Sequence, residues 1–238
     1  MSPLQPPLRR SRPFACGWRF TLVAASVVTS RLLLPEPLPA QRAPVWVAGG
    51  AAALSIGDIQ DGKTGAVWRF STDPMLQLRG SLERTGADGS SIGVVVGHGT
   101  ADLSLVPFAG KSDLSAEVRP TSCRTGCSAT VDVWHLLGQL RTATRATGFH
   151  TFFEAQGGVA GFRALRTRAT KEAIGPTAMR VDLTGTIGAG FGYALSRDMH
   201  LALVQDYGIG WHDRTGIPEG TGRSWRIRTT RASLRFAF

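Results

Sequence analysis

Five histidines, His98, His135, His150, His200 and His212, are the side chains here best suited to holding or moving a proton near neutral pH. Nucleophilic acyl chemistry needs a hydroxyl beside such an imidazole and a carboxylate to orient it. His98 is followed by Gly99-Thr100 and His150 by Thr151-Phe152, so neither offers a serine at close spacing. His212 is followed directly by Asp213 and is the best remaining candidate, although a lone rim histidine is far more often a solvated loop residue. A second constellation is Cys123-Arg-Thr-Gly-Cys127. Two cysteines without an adjacent histidine cluster make a poor zinc signature. In an oxidising compartment they are expected to form a disulfide that ties off a loop tip, with modest stabilisation because the ring is small. Phosphate-binding glycine loops and nucleotide fingerprints are absent from the sequence, and no cofactor or metal is expected. What remains is a set of charges, Arg79, Glu83, Asp132, Glu154, Asp182, Asp206, Arg231 and Arg235, each with an apolar residue beside it.

The spacing of those neighbours says what must position them. In the closing stretch, Phe238, Phe236, Leu234, Ala232 and Thr230 fall on one face, and Ala237, Arg235, Ser233, Arg231 and Thr229 on the other. A period of two marks a strand. Residues 75–84 repeat it, with Leu76, Leu78, Gly80 and Leu82 opposed to Gln77, Arg79, Ser81 and Glu83, and residues 179–195 repeat it again. Further strands are predicted over 44–57, 92–105, 128–140, 150–162 and 200–211, which with 224–238 makes eight. Gly97 and Gly99 predict a bulge or bend. Residues 163–173 hold helix formers and are expected to make a helical turn within a loop. The connections alternate in length: long near 58–74, 107–127, 164–178 and 212–223, short near 85–90, 144–148 and 196–199.

The 238 residues include 29 glycines, with 42% hydrophobic and 18% charged residues. That is too polar for a bundle of membrane helices and too apolar throughout for a disordered chain. Net charge is +10, but the bases are scattered among apolar residues rather than gathered on one patch, which argues against nucleic acid. Residues 1–40 hold five arginines against one glutamate, with an apolar run over 20–28 and Leu38-Pro39-Ala40 at the end. This describes a secretory signal peptide, with cleavage predicted after Ala40 and a mature domain over 41–238. A membrane anchor is the competing interpretation, but the apolar run is short for a span and Arg31 interrupts its continuation.

The fold expected is all-β: an eight-stranded antiparallel up-and-down transmembrane β-barrel, with short periplasmic turns and long outer loops. A soluble secreted ligand-binding barrel would alternate in the same way with its apolar face inward. The signal peptide, the terminal phenylalanine and the loop lengths favour the outer membrane of a Gram-negative bacterium. Tyr193 and Phe238 are expected near the periplasmic interface and Trp211 near the outer one. Trp225 and Ile227 share a face with Arg231 and Arg235, so the last strand must either bulge or rise beyond the membrane.

On Gly188-Ala-Gly-Phe-Gly-Tyr-Ala-Leu195, the turn Ser196-Arg-Asp-Met199 and the terminal Ser233-Leu-Arg-Phe-Ala-Phe238, residues 41–238 resemble the small eight-stranded outer-membrane barrels of Gram-negative bacteria, the family that includes the barrel domain of the major outer-membrane protein A. The resemblance implies that the barrel-assembly machinery reads the terminal aromatic strand through Phe236 and Phe238. It also implies contact with outer-membrane lipids and lipopolysaccharide, and loops that meet an unnamed extracellular ligand. Side chains fill a barrel of this size. The eight charges named above are therefore expected to pair as an interior network, since unpaired buried charges are costly. The function implied is a plugged barrel with a structural or surface-interaction role. The alternative is an outer-leaflet enzyme, because some barrels of this size are lipid A deacylases or palmitoyltransferases. The close His-x-Ser of the deacylases has no counterpart here.

Overall fold

A computed structural model describes residues 44–116, 118, 120–142, 147–175, 179–213, 215 and 222–238. The predicted signal segment 1–40, with its cleavage point after Ala40, lies outside the described residues. The described chain forms β1 (Val45–Ile56), β2 (Ile59–Asp61), β3 (Ala66–Phe70), β4 (Met75–Thr85), β5 (Ser91–Pro107), β6 (Cys127–Arg141), β7 (Gly148–Thr167), β8 (Arg180–Ala194), β9 (Met199–Trp211) and β10 (Ser224–Ala237). Eight of these close a wall. β1 pairs with β4, β4 with β5, and each strand onward with its successor as far as β10, all antiparallel. β10 returns to β1 in a register that runs from Trp46 opposite Ala237 to Ile56 opposite Ile227. These are the eight predicted strands.

The wall is inside out. Leu78 is 67% exposed while its chain neighbour Gln77 is fully buried, and the same opposition holds between Leu82 and Glu83 and between Phe236 and Arg235. The outward face carries Leu76, Val94, Val96, Leu136, Phe153, Ile187, Phe191 and Leu203 as a continuous apolar surface. That distribution overturns the soluble alternative, which needs its apolar face inward. Closed antiparallel barrels present such a belt to the bilayer of the outer membrane, where closure leaves no strand edge in lipid. Tyr193 and Phe238 lie exposed at the end that carries the turns and termini, and Trp211 at the end that carries the long loops, as expected.

Polarity inverts along the longer strands. On β10, Trp225 and Ile227 point inward and are buried, while Arg226 and Arg228 point outward. Its pairing with β9 runs without a register shift from Ser224 to Phe236. Of the two possibilities for this strand, rising beyond the membrane is therefore the one that holds. β5 and β6 behave alike: Ala101, Leu103, Val131 and Val133 face the core, and Thr100, Asp102 and Asp132 face out. Above the belt the outer surface meets water, so the ordinary apolar-in pattern returns.

Three expectations need correction. The region 58–74 is not a plain loop but contains the β2–β3 hairpin, and β3 extends the wall by pairing with the upper end of β5 (Phe70 opposite Leu103). Residues 163–173 are not helical. β7 continues to Thr167 through a bulge, where Thr130 and Asp132 of β6 face Arg166 and Arg163, leaving one extra residue on β7. Ala164 sits in that bulge at φ 53, in the left-handed region. Gly97 and Gly99 mark no bulge, since β5 keeps register with both neighbours through them. They are close-approach positions: a Cβ at Gly99 would lie 2.5 Å from the Leu76 carbonyl oxygen, and one at Gly97 3.0 Å from the Gln77 amide.

Candidate functional site: a filled lumen under a packed cap

The lower half of the lumen, toward the turns, is built from the inward positions of β4, β6, β7, β9 and β10. Alternation brings Glu83, Arg141, Glu154, Asp206, Arg231 and Arg235 there, all buried. They form an alternating ladder. Arg235 donates to Glu83 at 2.6 Å, and Arg141 reaches the same carboxylate at 3.5 Å. Arg141 also donates through Nε and Nη2 to Glu154 at 3.0 and 2.8 Å. Arg231 donates to the other oxygen of Glu154 and, through Nε, to Asp206 at 3.0 Å. Ser81 and Ser91 add hydroxyl donors to Glu83. Charges that share partners in this way hold one another in a medium that would otherwise expel them. Arg79 stands beside the ladder, held by the amide oxygens of Gln77 (2.7 Å) and Gln156 (3.4 Å).

Five of the eight predicted network residues thus pair in the ladder: Glu83, Glu154, Asp206, Arg231 and Arg235. Arg79 lies beside it on glutamine oxygens, and two others lie elsewhere. Asp132 faces outward and accepts from Thr100 at 2.9 Å, because β6 turns its odd-numbered residues inward. Asp182 is buried in the upper half of the lumen, apart from the ladder. Sequence reasoning missed Arg141, the centre of the ladder, which lies one residue beyond the predicted strand end. Its signal was available: it continues the inward series His135, Leu137, Gln139.

The upper half is apolar. Leu54, Ile56, Met75, Leu103, Leu105, Val131, Val133, Phe162, Trp225 and Ile227 meet Trp68 from the hairpin and Leu114, Val118, Cys123 and Ile174 from the long connections. Phe162 touches Trp68 and Trp225 edge-on, with ring centroids 6.0 and 5.7 Å away. The cap is also tied by polar bonds. Asp61 of the hairpin is buried, pairs with Arg180 of β8 and accepts from Thr64. Backbone bonds from Phe108 and Ser115 to Gly65 and Thr64 join the hairpin to the loop before β6. Asp182 accepts from the Trp225 indole at 2.9 Å and from Nδ1–H of His212 at 2.7 Å.

The histidine candidates take packing roles. His212 does not use Asp213; its partner is Asp182, and the pair is buried. Asp213 is bound instead by the hydroxyl and amide of Thr215, which hold its carboxyl below the usual range. Among the described residues the His212 side chain bonds Asp182. His135 is buried against the Gln77 amide at 2.8 Å. His98 stacks on Trp134 at 4.0 Å on the outer surface, and His150 and His200 lie with ring centroids 5.6 Å apart near Trp46. Cys123 and Cys127 have Cα atoms 5.0 Å apart, a span that a disulfide bridges, and Cys123 is buried in the cap. Phe236 and Phe238 lie on the outer face at the turn end, where the Phe238 amide donates to the Val45 carbonyl at 2.9 Å.

No protein-family model matches this chain, and no curated protein matches it. Among solved structures it is similar to Neisserial surface protein A at 12% identity and a TM-score of 0.48, covering 82% of this chain and 97% of that one. It is similar to the attachment invasion locus protein of Yersinia pestis, solved with a heparin analogue, at 7% identity and a TM-score of 0.44, covering 83% and 100%. The outer membrane protein OprG of Pseudomonas aeruginosa is similar at 13% identity and a TM-score of 0.40, covering 83% and 97%. The assignment of the fold rests on the strand pairing given above.

Proposed function

We propose that this outer-membrane barrel is an occluded scaffold that presents its packed cap at the cell surface, in a structural or surface-interaction role. The observation that supports this most is the double filling of the lumen: a bonded ladder below and an apolar core above, the latter shared with the cap. The described cap residues Trp68, Leu114, Val118, Cys123 and Ile174 are packed onto the barrel core, and a pre-packed surface lowers the ordering cost of binding. Export by the segment 1–40 and assembly through Phe236 and Phe238 bring it to the membrane, where Cys123 and Cys127 pair in the oxidising environment. Arg226 and Arg228 point outward two residues apart on β10, beside Tyr207 and Trp211 of β9, and are the groups that meet lipopolysaccharide phosphates.

Three measurements test this. The protein should fractionate with the outer membrane and migrate faster on a gel before heating than after. Planar bilayers should show no conductance steps of the size an open pore gives. Recovery as a soluble periplasmic protein, or large open-pore currents, would overturn the proposal.

A further inference from the structure

The ladder is balanced in charge and the arginine beside it is not. Arg235, Glu83, Arg141, Glu154, Arg231 and Asp206 alternate in sign, three of each, and every carboxylate is claimed by at least one guanidinium. Arg79 is a fourth cation on the same lumen wall. Its hydrogen-bond partners are the two glutamine oxygens, and among the described residues it makes no ion pair. Gln77 is fully buried and its Nε2 is engaged by His135, which fixes the amide with its oxygen toward Arg79. The protein thus positions this guanidinium with neutral groups and leaves its charge without a counter-charge in contact. Arg79 is half-buried, and an ion drawn partly out of water without a counter-charge in contact is costly to hold.

Beside it is a cavity of about 20 Å³ whose lining includes Arg79, Arg141, Arg231, Gly50 and the carboxylate-bearing Glu83. The space suits one particle near the size of water. Glu83 does not supply the missing charge, because Arg141 and Arg235 already share it. Arg141 and Arg231 add positive potential from the other sides of the same cavity.

We propose that this cavity holds a single small inorganic anion of the halide class, bound by Arg79 and flanked by Arg141 and Arg231. The anion gives the Arg79 guanidinium a counter-charge in contact, and this goes beyond the scaffold role proposed above. Phosphate and sulfate are too large for the space, so selectivity follows size. The cavity reaches the wall between β1, β4 and β10, and the barrel forms whether or not it is filled.

The test uses the full mature chain folded in lipid vesicles. Thermal unfolding is followed at constant ionic strength while sodium gluconate is exchanged for sodium chloride or sodium sulfate. The midpoint is expected to rise and saturate with chloride but not with sulfate, and Arg79→Gln should lose the chloride response. Crystals grown in bromide should show an anomalous peak within hydrogen-bond reach of the Arg79 guanidinium. Should Arg79→Gln fail to fold, the bromide peak in the unaltered protein decides alone. A response equal for chloride and sulfate, a response retained in Arg79→Gln, or no bromide peak at the cavity would each overturn the proposal.

Discussion

The two halves of the lumen lie on the same strands and are held by opposite means. Below, β10 contributes Arg231 and Arg235 to a chain of charges; above, it contributes Trp225 and Ile227 to an apolar core. The outside inverts in step, from Phe236 to Arg228. Lipid dictates the lower half: an apolar exterior leaves the inward positions to polar groups, and in a narrow barrel these must satisfy one another. Water dictates the upper half, where the wall and cap follow the rule of a soluble β protein. A single strand can obey both rules because the solvent outside changes along its length.

Substitutions that spoil one half should leave the other standing. The largest effect is expected for Glu154→Leu, which strips Arg141 and Arg231 of a shared partner while both stay buried. Removing one member of a buried ion pair costs about 3–5 kcal/mol, and urea unfolding in vesicles should report a loss in this range. Phe162→Ala opens a gap between Trp68 and Trp225, and truncating a core phenylalanine costs about 3–5 kcal/mol. Only one arrangement is lost there, so the expected loss lies at the lower end, with limited proteolysis cutting the cap while the heat-modifiable gel shift persists. Trp225→Phe keeps most of the ring but removes the bond to Asp182, and a hydrogen bond to a charged group is worth about 1.5–3 kcal/mol. Asp132→Asn, on the outer surface above the belt, should stay within about 0.5 kcal/mol of the parent. A large loss from Asp132→Asn would restore it to the interior network and break the division between the halves.

Legibility divided along the same line. All eight wall strands could be read because, within the belt, polar and apolar residues alternate in the sense that the lumen and lipid impose. Leu76, Leu78 and Leu82 against Gln77 and Glu83 is the plainest case. Above the belt the sense reverses, and a polar residue no longer marks the inward face. Asp132 was misplaced for that reason, since a carboxylate among valines reads as interior when the whole strand is taken to lie in lipid. The hairpin was hidden differently: β2 and β3 are three and five residues long, flanked by Asp58, Lys63 and Gly65, and their burial comes from Trp68 reaching across the mouth. The partner of His212 was also beyond reach, because Asp182 lies thirty positions earlier and meets it only when β8 and β9 pair.

The seam between β1 and β10 has a kinetic consequence. Trp46 meets Ala237 there, so the last contacts to form join the first and last strands of the barrel. Such pairings carry the greatest loop-closure entropy and come late. Until then β1 and β10 each expose a row of backbone donors and acceptors in a medium that offers none. A chain truncated before Ser224 would keep the pairings from β1 through β9 and still have no way to finish, with two sticky margins instead of a circumference.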